Sequence, residues 1–135
     1  MPEAVIVATA RSPIGRANKG TLTELRPDDM SAQIVRALMA KVPQVKADDV
    51  EDLMMGCGQP AGEAGFNIAR VVAVLAGLDN VPGVTVNRYC SSSLQTIRMA
   101  AHAINAPSPS GLPGDSSNSS RPTAIFFAVV FSVSS

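Results

Sequence analysis

Val86-Asn87-Arg88-Tyr89-Cys90-Ser91-Ser92-Ser93-Leu94-Gln95-Thr96-Ile97 joins two kinds of pattern. Val84-Thr85-Val86-Asn87 is a β-branched run that suits a strand, and from Cys90 onward Leu94, Ile97, Ala101 and Ile104 recur along one helical face. A strand therefore gives way to a helix at Cys90. A thiol at such a junction faces backbone N–H groups that lack helical partners and the positive end of the helix dipole, an arrangement that favours thiolate. Ser91 to Ser93 keep the approach small and polar. The residues alone leave two readings of Cys90 open. It is either a nucleophile that forms a covalent intermediate, with backbone amides nearby for a developing oxyanion, or a cysteine packed behind a strand, since free cysteine is among the most buried residue types.

Upstream, the same alternation repeats. Ala4-Val5-Ile6-Val7-Ala8-Thr9 reads as a first strand covered on both faces, broken by Arg11-Ser12-Pro13-Ile14-Gly15. Pro27-Asp28-Asp29 opens a helix expected over about 28–41, with acidic residues at its start and Lys41 at its end, as the helix dipole favours. Val50 to Cys57 is a second apolar run, Phe66 to Leu78 a second helical pattern, and Val81-Pro82-Gly83 a turn into the third strand. Strand-helix order three times over predicts an α/β fold, a mostly parallel sheet with helices on both faces. Functional sites in such folds gather at the carboxyl ends of the strands, where Cys90 stands.

Composition narrows the partners. The 135 residues carry eleven Lys+Arg against eleven Asp+Glu, so there is no basic face to attract nucleic acid or an anionic membrane. Met1-Pro2-Glu3 does not open a secretory signal, and no run approaches the ~20 apolar residues of a membrane span, so the expected compartment is the cytoplasm. Cys57 and Cys90 are too few for a disulfide scaffold. Charge is uneven, however: residues 106–135 hold only Asp115 and Arg121 of the 22 charges. The chain thus divides into an α/β unit over 1–105, a Pro/Ser/Gly-rich linker over 106–122 and an apolar tail over 123–135 that is either a late strand or a frayed end.

The run from Val86 to Ile104 resembles the active-site segment of the thiolase family, the acetyl-CoA acetyltransferases and 3-ketoacyl-CoA thiolases. The resemblance rests on Asn87, two intervening residues, Cys90, the small hydroxylated run, Leu94, Ile97 and Ile104. Ile6 to Gly15 resembles the family's opening strand and turn, Met55-Gly56 with Gln59-Pro60-Ala61-Gly62 its second strand and loop, and Asn67-Ile68-Ala69-Arg70 the start of its second helix. Related ketosynthases share the fold and the cysteine, but the context from Asn87 to Ser93 is closer to thiolases. The resemblance implies a thiolase-like half-domain, incomplete, in which Cys90 accepts an acyl group from acyl-CoA as a thioester for Claisen condensation, or for the reverse cleavage of a 3-ketoacyl-CoA. CoA thioesters are the implied substrates, with no metal or redox cofactor, and full-length members are homo-oligomers.

The same resemblance implies parts that this sequence does not match: an Asn that holds a water, two further His and a second Cys near the family's C-terminus. The one histidine, His102, stands twelve residues past Cys90 on the same expected helix, roughly 18 Å away at about 1.5 Å per residue, and reads as a surface residue. The expectation is therefore a truncated or frame-shifted product, inactive in carbon–carbon bond formation by itself. The alternative is a non-catalytic module that pairs with a full thiolase subunit. Cys57 reads as a strand-end core residue, with a redox pairing to Cys90 as its alternative. Arg11, Asn67, Arg70 and Arg88 are possible CoA contacts, though turn, cap or subunit-contact roles suit each better. Asp48-Asp49 and Glu51-Asp52 read as a solvated edge without metal-ligating neighbours.

Overall fold

Pro27 at the first helical position, Asp28 and Asp29 in the first turn and Lys41 in the last start and stop the first helix, α1 (Pro27–Lys41). The computed structural model of the chain describes residues 3–16, 18–105 and, as backbone, 125–129. After α1 come β1 (Val50–Gly56), α2 (Ile68–Leu75), β2 (Gly83–Val86), α3 (Ser92–Asn105) and β3 (Ile125–Val129). The sheet runs β2-β1-β3, with β1 parallel to both neighbours. Leu53 lies opposite Gly83 and Gly56 opposite Val86 on one side of β1, and Met54 lies opposite Ala128 on the other.

Side chains alternate across a strand, so β1 serves two layers. Leu53, Met55 and Cys57 enter a core with Ala32 and Val35 of α1 and Ile68, Ala69, Val72 and Ala73 of α2. Gly56 belongs to the opposite face, where a Cβ on it would meet the backbone of Ser92 and Ser93. Helices thus cover both faces of a parallel sheet, α1 and α2 on one and α3 on the other. Complete burial of Leu53, Met55, Ile68, Val35 and Val72 supplies about 1.5–3 kcal/mol for each side chain.

Connections are fixed by side chains that satisfy backbone groups. Thr85 Oγ accepts a hydrogen bond from the Ala69 N–H at 3.1 Å and donates to Asn67 Oδ1 at 2.8 Å, so β2 caps the start of α2. Arg70 donates from its guanidinium to the carbonyls of Val81 at 2.7 Å and Asp79 at 2.8 Å, which ties the α2–β2 loop to its own helix. Arg26 joins Asp28 at 2.8 Å and Glu63 at 2.9 Å, clamping the entry of α1 to the loop before α2.

Several expectations need correction. Ala4 to Thr9 forms no strand: β2 and β3 flank the central strand β1, and the segment pairs with neither outer edge but runs outside the sheet with Ile6 79% exposed. Lys41 Nζ donates to the Thr9 carbonyl at 2.7 Å and holds it beside the end of α1. The second helix is shorter than its pattern, because Phe66 has φ 56° and Gly77 φ 85°, outside the helical region at either end. On α3 the buried residues are Ser92, Thr96 and Ala100, while Leu94 is 70% exposed. The close approach of Gly56 favours small residues, so the apolar stripe turns away. The linker expected over 106–122 lies outside the described residues, as does all of 123–135 except the backbone of β3. Among the described residues, no helix is long and apolar enough to cross a membrane.

Asp52 is the remaining correction. It is partly buried, and its Oδ1 is enclosed without a hydrogen-bond partner. Burial pushes its carboxyl above the usual range, partly offset by the Leu53 N–H. Asp28 is shifted the other way: the hydrogen bond from Arg26 holds it below the usual range. The two have opposite linkage. Asp28 contributes stability that is present above its unfolded value and lost in acid. Asp52 binds its proton more tightly in the folded state, so its ionisation removes stability as pH rises from the ordinary carboxylate value through the raised one. Asp52→Asn should therefore raise stability by about 1 kcal/mol at neutral pH and have a smaller effect in acid, where the wild-type carboxyl is already neutral. Denaturant melts of both proteins across the acid range measure this difference; equal gains at all pH values would contradict it.

Candidate active site

Strand β2 ends at Val86, and the chain turns through Asn87 and Arg88 into a single 3-10 turn, Tyr89–Ser91, that leads directly into α3. Cys90 lies in this turn, at the carboxyl end of the sheet and the amino-terminal entry of a fourteen-residue helix. It is exposed and carries a free thiol. Of the two readings its residues left open, the packed cysteine is therefore not what the fold makes of it.

The turn depends on one strained residue. Tyr89 has φ 49° in the left-handed region, which costs an ordinary L-residue roughly 1–2 kcal/mol. Local hydrogen bonds offset that cost. Asn87 Oδ1 accepts the Tyr89 N–H at 2.9 Å. Ser92 Oγ accepts the Arg88 N–H at 2.9 Å and donates to the Tyr89 carbonyl at 2.6 Å. The Ser91 N–H reaches the Arg88 carbonyl at 3.0 Å. Ser92 is 3% exposed, so water does not compete for its hydroxyl.

Beneath the turn the end of β1 comes very close. A Cβ on Gly56 would stand 2.5 Å from the Ser93 nitrogen and 2.7 Å from the Ser92 carbonyl carbon, and one on Gly58 would stand 3.0 Å from the Tyr89 oxygen. Gly56 allows the start of α3 to rest on the strand backbone, and so sets the height of Cys90 above the sheet. Asn87, Arg88, Tyr89 and Ser91, the residues on either side of Cys90, line an open depression of about 560 Å³. It can receive a polar, extended group beside the thiol.

Other candidate residues fall elsewhere. Cys57 is buried in the core beneath α1 and α2 and Cys90 is exposed on the turn into α3, with both thiols free. His102 is exposed on α3, well along the helix from Cys90. Arg70 and Asn67 are engaged in the α2–β2 connections, with Asn67 Nδ2 donating to the Gly83 carbonyl at 2.7 Å. Arg88 alone of the four stays at the site, where it donates to Gln95 Oε1 at 2.8 Å; Arg11 is exposed on the segment outside the sheet. Asp48 and Asp49 are exposed, and among the described residues no group of three His, Cys, Asp or Glu could hold a metal ion.

Two residues escaped sequence reasoning. Ser92 is indistinguishable from Ser91 and Ser93 in the sequence, and only its burial separates it. Gly56 carried a usable signal, since a glycine at the end of an apolar strand often marks a close backbone approach.

The strand-turn-helix thus presents an exposed cysteine at the carboxyl end of a parallel sheet. Residues 4–109 match the family model of the thiolase N-terminal domain, so the chain belongs to the thiolase family. It is 48% identical over 105 residues to the 3-ketoacyl-CoA thiolase of Bacillus subtilis (strain 168), which covers 77% of this chain and 27% of that protein. The 3-ketoacyl-CoA thiolases of Shewanella frigidimarina and Shewanella loihica are each 45% identical over the same length. The chain thus spans about a quarter of the length of these curated relatives.

Gly56→Ala tests the packing beneath the turn. The added methyl overlaps backbone and cannot be relieved by a rotamer change, so the variant should lose about 2–3 kcal/mol in a denaturant melt. Cys90 should also change its rate of reaction with a thiol reagent. A stability loss below about 0.5 kcal/mol, the usual size of a surface effect, would mean that the close approach is not a constraint.

Proposed function

We propose that Cys90 is the acyl-accepting nucleophile of a thiolase-type acyl transfer. The observation that carries this reading is the exposed thiol at the entry of α3, within the family's N-terminal domain, beside a depression lined by its own sequence neighbours. The Cys90 sulfur attacks the carbonyl carbon of an acyl-CoA, a carbon–sulfur bond forms to the enzyme, and the bond to CoA breaks. The thiol proton ends on the departing CoA sulfur. The substrate class is an acyl-CoA, a reading supported by the names of the 3-ketoacyl-CoA thiolases that the chain resembles. Neither nucleic acid nor a membrane is part of it. Two free thiols suit a reducing compartment, and we place the protein in the cytoplasm.

Acyl capture is the one step assigned to this chain's own residues. Condensation or thiolysis needs a second base that activates the other reactant, and neither His102 nor Cys57 stands where it could act as one. Incubation with acetyl-CoA followed by peptide mass spectrometry should find an acetyl group on Cys90, none on Cys57, and none at all in Cys90→Ser. Label on Cys57 at the same level, or no label on folded wild-type protein, would refute the assignment. Full thiolase turnover by residues 1–135 would refute the restriction to capture.

The exposure of Leu94 and Ile97 on α3 favours a second reading, a module that packs an apolar helix face against a complete thiolase subunit. Recovery of no thiolase subunit in a pull-down from its own cells would end it.

A further inference from the structure

We propose that Ser92 is a positioning residue for Cys90, acting through the backbone of Tyr89. The inference rests on the reading of Cys90 as a nucleophile. Ser92 Oγ contacts the chain at two points, the Arg88 N–H and the Tyr89 carbonyl, and the strained dihedral of Tyr89 lies between them. One oxygen therefore pins both ends of a two-residue segment, while Asn87 Oδ1 holds its middle through the Tyr89 N–H. Relaxation of Tyr89 to an ordinary backbone angle would pull at least one of these contacts apart and swing Cys90, the next residue, away from the helix entry. Burial makes the latch effective. Ser92 is enclosed against the end of β1, so removal of its hydroxyl leaves the Arg88 N–H without its side-chain partner.

A glycine occupies the left-handed region without the cost that a tyrosine bears there, so position 89 provides the discriminating background. The rate of Cys90 alkylation by iodoacetamide is measured against pH in wild type, Ser92→Ala, Tyr89→Gly and the double variant, with a melting curve for each. Ser92→Ala should slow alkylation near neutral pH by about ten-fold and move the pH–rate profile, whereas the same change in the Tyr89→Gly background should cost less than about two-fold, a coupling between the two positions. An equal effect of Ser92→Ala in both backgrounds, or no effect in either, would overturn the proposal. If Ser92→Ala does not fold, Asn87→Ala provides the same comparison from an exposed residue that holds the same segment. Its effect should likewise shrink in the Tyr89→Gly background, and an undiminished effect would overturn the latch. Acetylation by acetyl-CoA is read on the same four proteins. Coupling in alkylation without acetylation of wild type would support the positioning role and remove the acyl-transfer reading. Acetylation without coupling would do the reverse.

Discussion

The backbone of Gly56 rests against the backbone of Ser92 and Ser93, and the arrangement of the site depends on that approach. A strand and a helix normally keep a layer of side chains between them. Here the strand has no side chain at the contact, and the helix face opposite is made of Ser92, Thr96 and Ala100. The helix therefore sits low on the sheet at its amino-terminal end, and the chain leaving β2 has only Asn87 to Ser91 in which to climb from the sheet to the helix. A short, steep connection of this kind forces a left-handed residue, and Tyr89 takes that conformation. Cys90 follows immediately and is thrust into solvent.

Packing and chemistry are thus linked through strain. Two of the residues that make Cys90 accessible, Gly56 and Ser92, lie beneath the turn and outside the depression beside it. Gly56 sets the height of the turn, Ser92 and Asn87 stabilise its unfavourable angle, and the depression beside the thiol is formed by what the turn leaves outside. The other face of β1 is ordinary by comparison. Leu53, Met55 and Cys57 meet α1 and α2 through a conventional apolar core, and Arg70 and Thr85 close the connections with hydrogen bonds. One strand therefore separates a stabilising layer from a layer devoted to presentation, and the two cysteines fall on opposite sides of that division.

Much of this was legible in the residues, unevenly. The existence of α1, β1, α2, β2 and α3 followed from periodicity and caps, since local signals such as Pro27-Asp28-Asp29 act on their own segment whatever surrounds it. The motif around Cys90 pointed to a nucleophile, and the match over residues 4–109 bears out the family. The errors share one cause. Ala4 to Thr9 has the composition of a strand, but a strand also needs a partner, and β1 is flanked by β2 and β3 while Lys41 holds the segment beside the end of α1. Leu94 and Ile97 share a helical face, but which face turns inward depends on how close the sheet comes. Asp52 stands in a charged run, yet the alternation of β1 turns it inward.

The order of elements, the thiol at a strand-helix junction and the family to which the chain belongs can be read from the residues, because these rest on interactions and motifs between residues close together in the chain. Folding sets which of three consecutive serines is buried, that Tyr89 bears the strain, and that β1 pairs with β3 and not with the segment 4–9. Those outcomes depend on distances between segments brought together by folding. Gly56 and Ser92, thirty-six positions apart in the chain, meet at backbone contact, and no local pattern encodes that meeting.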